Sequence, residues 1–181
     1  MRVAALGDSI TEGYMCHPEE NWVSITRREL AITMYNLGNC GDLTRNMLNR
    51  FSQQVLRLSP SHCIILGGTN DAFCDVPQTD YGDNIDRIAG SCQENGIIPI
   101  LGMPTPCVSP SEEFILQEYR DWLREYSLSK KIMSIDFYSV LLDTASMTGK
   151  QEYFLDDVHP NKAGYRVMAE AAKKILSSLL F

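Results

Sequence analysis

Three residues in this chain have the types and the order that acyl transfer requires. Ser9 lies in "LGDSITEG" (6–13), directly after a short apolar run. An alcohol is a weak nucleophile at neutral pH, so Ser9 does chemistry only if a base stands beside it. His159 lies in "DDVHPNKAGY" (156–165), with Asp156 three residues before it. A tight turn brings that carboxylate to the second imidazole nitrogen, where it fixes the tautomer and supports the charge the ring acquires. Asp157 competes as the acid, and the three-residue spacing favours Asp156. The other histidines fit less well. His17 sits in a polar stretch and reads as a solvated surface residue, and His62 precedes an apolar strand at its amino end.

Such a site must also hold a developing oxyanion. The candidate donors are the Ser9 backbone N–H, Gly38 in "NLGNCGDLT" (36–44) and Asn70 in "LGGTND" (66–71). Gly38 has no side chain to block an approaching oxygen and directly follows a strand; Gly41 is the nearby alternative. Asp8 and Asp71 adjoin two of these positions and read as supporting residues, with Asp8 bonding backbone around the nucleophile turn. The bland use of Ser9 is a helix cap or turn, a role Thr11 fills equally well. A different class of function is a flavin- or phosphate-binding module using the same loops. No P-loop or dinucleotide glycine pattern supports it, and it gives Asp156 and His159 no task.

The elements that must position these residues alternate. Apolar runs at 2–6, 33–38, 62–68, 97–104 and 131–137 read as strands. Amphipathic segments at 21–30, 41–56, 80–96, 111–128 and 161–180 read as helices. The helical faces expected to be buried carry Leu43, Met47, Phe51 and Val55, then Ile85, Ile88, Ala89 and Cys92. In the fourth helix they carry Phe114, Leu116, Tyr119, Leu123 and Tyr126, and in the last Ala163, Val167, Ala171 and Ile175. Ser111 and Asn161 are the expected caps of the last two helices. Repeated strand–helix units imply an α/β fold with a parallel sheet covered on both sides. Sites in such sheets lie beyond the carboxyl ends of the strands, where Asp8–Ser9, Gly38–Asn39 and Gly68–Asp71 all fall. The stretch 70–84 reads as the longest irregular segment in the middle of the chain, with Phe73, Val76 and Tyr81 as candidate pocket walls. No linker or composition break divides residues 1–181, which predicts one domain.

Taken together, the four blocks resemble the GDSL-type hydrolases, the superfamily also called SGNH. "GDSITEG" (7–13) resembles the nucleophile block, Gly38 the oxyanion glycine block, "LGGTND" the asparagine block, and "DDVHPNKAGY" the histidine block. They stand in the family's order over residues 7 to 165, with Ile10 where the name-giving leucine stands in the family. The G-x-S-x-G elbow of ordinary α/β-hydrolases is absent. The resemblance implies a three-layer α/β/α, flavodoxin-like sheet of five parallel strands ordered 2-1-3-4-5. It also implies ester hydrolysis without metal or cofactor, with Ser9, His159 and Asp156 as the triad and Ser9, Gly38 and Asn70 as oxyanion donors. Short loops leave little room for a lid, which favours a small acyl group, acetyl first. Thioester or lysophospholipid cleavage is the alternative within the family.

Bulk properties restrict the partners. A net charge of -7 and only 16 Lys+Arg, with no basic arm, exclude a nucleic-acid surface as the expected function. No apolar run approaches a membrane span of about 20 residues, so no integral membrane association is expected. The six cysteines form no C-x-x-C pair, and the apolar start is too short for a signal peptide, which together predict a reduced, cytoplasmic setting. The expected partner is a small-molecule ester. The closing Leu179, Leu180 and Phe181 have two uses: packing back on the domain, or meeting a second subunit in a homo-oligomer.

Overall fold

The computed structural model describes residues 1–180. Five parallel strands, β1 (Arg2–Gly7), β2 (Thr33–Gly38), β3 (His62–Leu66), β4 (Ile98–Gly102) and β5 (Met133–Ile135), form a sheet in the order β2-β1-β3-β4-β5. β1 lies between β2 and β3 in matched register, with Gly7 opposite both Gly38 and Leu66. The strands that carry the candidate loops therefore end side by side.

The lack of polar alternation in β1 and β3 has a plain cause: both faces are covered. Ala4, Leu6, Cys63 and Ile65 point into one core, against α3 (Thr44–Gln54), α5 (Gln78–Glu94) and α6 (Pro110–Lys130). Val3, Ala5, Ile64 and Leu66 point into the other, against α2 (Trp22–Leu30) and α7 (Lys162–Ser177). Two short helices complete the strand exits, α1 (Ser9–Glu12) after β1 and α4 (Thr69–Phe73) after β3. A two-stranded ribbon, β6 (Leu142–Asp143) with β7 (Thr148–Gly149), lies in the chain between β5 and the histidine block.

Local chemistry explains the boundaries. Asn21 caps α2 through Ser24 N, and Asn161 caps α7 through Ala163 N and Gly164 N. α3 begins at Thr44, so Leu43 stands at its cap instead of on its buried face; Met47, Phe51 and Val55 are buried. α6 opens with Pro110 as its first residue and Ser109 at the cap, displacing Ser111 from that role.

Two helical faces differ from expectation. Phe114 on α6 is 68% exposed, while Leu116, Tyr119 and Leu123 carry the packing. On α7 the buried row is Tyr165, Met168, Ala172 and Leu176; Val167, Ala171 and Ile175 only flank it and Ala163 is exposed. The stretch 70–84 is not irregular either, since α4 and α5 occupy most of it. Tyr81 is wholly buried and stacked on Tyr119, ring centroids 4.2 Å apart, so it is core and no pocket wall. Phe73 is exposed and Val76 half-buried. At the carboxyl end Leu179 packs partly against the second core and Leu180 stays exposed; Phe181 lies outside the described residues.

Candidate active site

The site forms where β1 stops. Asp8 caps α1 by accepting from Ile10 N at 2.9 Å, which turns the chain sharply and presents Ser9 as the first helical residue. A first-turn N–H has no intrahelical acceptor, so the Ser9 amide remains available. Ser9 is 4% exposed, and its Oγ lies 3.1 Å from His159 Nε2. His159 Nδ1 lies 2.8 Å from Asp156 Oδ2. The other Asp156 oxygen accepts from the backbone N–H of His159 at 2.7 Å and of Val158 at 2.8 Å.

An ionised carboxylate only accepts, so the proton between these groups sits on His159 Nδ1 and leaves Nε2 as the acceptor facing serine. Burial pushes the Asp156 carboxyl up, but the hydrogen bonds from His159 and Val158 outweigh it and hold the group below its ordinary value. Asp157 is exposed, and among the described residues only its backbone carbonyl is engaged, by Val108 N at 2.8 Å. The histidine is braced from both sides. Leu155 N donates to its carbonyl at 2.8 Å, and the Tyr14 ring packs on its ring with centroids 4.8 Å apart.

Asn70, on α4, donates one amide hydrogen to Asp42 O at 2.9 Å, which fixes the plane of the amide and leaves a second hydrogen free. Asp71 accepts from Thr44 N and from Thr44 Oγ1 at 2.6 Å, tying α4 to the start of α3. Its burial raises its pKa above the ordinary value, and the Thr44 bonds oppose that rise. Gly38 is placed differently from the sequence expectation. Its N–H is already spent on Asn36 Oδ1 at 2.9 Å, and a Cβ there would collide with the Glu12 backbone. Its lack of a side chain serves the close packing of β2 on α1. Gly41 has φ +81°, open space where a Cβ would stand, and an N–H with no partner among the described residues.

His17 is exposed, and His62 lies at the opposite, amino-terminal end of the sheet. Burial raises the thiols of Cys16 and Cys40 above their ordinary values, so both stay protonated at neutral pH and are poor nucleophiles. Among the described residues no group of three or more His, Cys, Asp or Glu is placed to hold a metal, and no helix is long and apolar enough to cross a membrane. Sequence reasoning missed Tyr14, whose only signal is its position just past the nucleophile turn. It also missed Arg50, which reads as an ordinary solvated helix charge.

Asp8 carries a measurable cost. It is 1% exposed, its Oδ2 has no partner among the described residues, and burial raises its pKa to about 7. The folded state therefore holds a proton that the unfolded chain releases near pH 4, so stability falls as pH rises from about 4 to about 7 and then levels. Asp8→Asn keeps the acceptor for Ile10 N and removes the titration. It is expected to flatten that slope and to raise the pH 8 stability by roughly 1–4 kcal/mol, measured by urea unfolding at pH 5 and pH 8. Equal slopes in both proteins would overturn the assignment.

Comparisons with known proteins bear on the family and the fold. The family described as GDSL-like lipase/acylhydrolase matches residues 5–167. A structure assigned to the lipolytic G-D-S-L family from Desulfitobacterium hafniense DCB-2 is 30% identical, covers 96% of this chain and 98% of its own, and superposes with a TM-score of 0.90. A member of the lipolytic G-D-S-L family from Veillonella parvula DSM 2008 is 26% identical, with 98% of each chain covered and a TM-score of 0.88. An acetylxylan esterase from Geobacillus stearothermophilus shares the fold at 18% identity, TM-score 0.81, over 99% of this chain and 94% of its own. A comparison with curated proteins finds none that matches. The strand order, the linked serine, histidine and aspartate, and the match over most of the sequence have one reading: the chain belongs to the GDSL-like lipase/acylhydrolase family of hydrolases.

Proposed function

We propose that this protein is a serine esterase that hydrolyses small-acyl carboxylic esters, acetyl esters first. The observation that carries the reading is the unbroken chain Ser9 Oγ, His159 Nε2, His159 Nδ1, Asp156 Oδ2, with links of 3.1 and 2.8 Å. His159 takes the Ser9 proton as Oγ attacks the ester carbonyl, then returns it to the leaving alcohol. The same histidine activates the water that releases the acid. Ser9 N–H and the second hydrogen of Asn70 Nδ2 receive the oxyanion. Gly41 N–H is the third donor in place of Gly38, because it has no partner among the described residues and no neighbour crowds the glycine where a Cβ would stand.

The short helices at the strand exits, α1 and α4, leave little room for a lid or a deep tunnel, which supports a small acyl group. The leaving oxygen must lie beside His159, so the acyl part faces away from it. Six free cysteines, two of them exposed, fit a reducing, cytoplasmic setting.

The test is a panel of p-nitrophenyl acetate, butyrate and octanoate, an acetylated sugar, an acyl thioester and a lysophospholipid. The acetates are expected to give the highest kcat/KM, with octanoate roughly tenfold lower or worse. A preference for octanoate, the thioester or the lysophospholipid would overturn the small-acyl reading. No turnover of any ester by folded protein would overturn esterase function.

A further inference from the structure

Outside the triad and the oxyanion donors, one half-buried cation bonds to the segments that carry them. Arg50, on α3, has a side chain only 14% exposed and spends all three guanidinium nitrogens on the protein. Nε donates to Asp42 Oδ2 at 2.6 Å, Nη2 to Gly7 O at 2.8 Å and Nη1 to Gln54 Oε1 at 2.6 Å. Gly7 is the last residue of β1, two before the nucleophile, and its carbonyl also accepts from Asn39 N at 3.0 Å. Asp42 follows Gly41, accepts from Asn39 Nδ2 at 2.5 Å, and offers its own carbonyl to Asn70 Nδ2 at 2.9 Å. A single planar group thus joins the strand end that aims Ser9 to the loop and the amide that receive the oxyanion.

We propose that Arg50 is a positioning residue that sets the distance between the nucleophile and the oxyanion donors. The inference rests on the esterase reading. Oxyanion donors lower the barrier only when aimed at the point where charge develops, and a displacement of about 1 Å costs on the order of a hundredfold. The loop 39–42 belongs to no helix or strand; two backbone bonds, Asn39 N to Gly7 O and Asp42 N to Asn39 O, start it, and side-chain bonds complete its placement. A guanidinium fork bonds in fixed directions to two acceptors at once, whereas a lysine ammonium does not reproduce that geometry. Asp42 is 7% exposed, so the link lies out of bulk solvent, where it is stiff.

A merely structural Arg50 would alter stability and leave the folded enzyme's kcat alone. The full chain is compared as wild type, Arg50→Lys, Arg50→Gln, Asn70→Ala and the Arg50→Gln/Asn70→Ala double variant, on p-nitrophenyl acetate, well below each melting temperature. Both Arg50 variants are expected to lower kcat about 10- to 100-fold with KM within about twofold. Asn70→Ala is expected to lower kcat roughly 10²–10³-fold. The double variant should fall well short of the product of the two losses, because Arg50 acts on catalysis largely through Asn70 and its loop. Losses that multiply, or wild-type kcat in folded Arg50→Lys and Arg50→Gln, would overturn the inference while leaving the esterase reading intact. If Arg50→Gln does not fold, Asp42→Asn weakens the same link from the other side and must show the same kcat loss at unchanged KM. Folded wild type that turns over no ester overturns both readings.

Discussion

Ser9→Ala is expected to lower kcat for p-nitrophenyl acetate by roughly 10⁵–10⁶-fold, and His159→Ala to do the same. Without Oγ no acyl-enzyme forms, and without Nε2 the hydroxyl keeps its proton at the moment of attack. The two groups are halves of one proton transfer across the 3.1 Å contact, so the double variant is expected to be no slower than either single. Folding should survive. The only side-chain hydrogen bond of Ser9 among the described residues is the one to His159, and alanine suits the first turn of α1. Unfolding free energies within about 0.5 kcal/mol of wild type would separate lost chemistry from lost structure. Labelling by a fluorophosphonate should attach to wild-type Ser9 and vanish in Ser9→Ala. Activity within tenfold of wild type in either single variant would remove that residue from the mechanism.

The sequence carried some of this site clearly and hid other parts, for physical reasons. Strand cores were legible because a strand covered on both faces has no polar positions, as in Ile64, Ile65 and Leu66. The candidate nucleophile, base and acid were legible because each must follow a strand or precede a helix at one edge of the sheet. The glycine of the proposed oxyanion loop was harder. Adjacency to a strand favoured Gly38, but a backbone N–H is free or spent according to the turn around it, and the Asn36 side chain closes off that one. Helix faces slipped where apolar residues do not pack. Phe114 points to solvent, and the α7 row was centred one residue away because Tyr165 and Met168 outweigh the small residues beside them. Arg50 was invisible, since one charge on an amphipathic helix looks like a solvated one until its partners are in place.

Asp156→Asn is expected to cost roughly 10³–10⁴ in kcat with KM changed less than about threefold. Asparagine preserves the shape, and its carbonyl oxygen can still accept from His159 N and Val158 N, so the turn should hold. Its amide nitrogen then faces His159 Nδ1 with a hydrogen where the carboxylate had a lone pair. The ring answers by moving its proton to Nε2, and an imidazole protonated there cannot take the proton from Ser9. Asp157→Asn is the control, because the exposed Asp157 side chain makes no hydrogen bond among the described residues and only its carbonyl is used; it should keep kcat within about twofold. Asp156 is held below the ordinary carboxylate value, so it stays ionised throughout the range from pH 5 to 9 explored in a rate profile, and no inflection there belongs to it. The Asp156→Asn loss should therefore be present across that range. A loss confined to its acid end would mean that the carboxylate itself titrates during turnover, and equal losses in Asp156→Asn and Asp157→Asn would mean that the loop's charge, and not the hydrogen bond to Nδ1, supports the histidine.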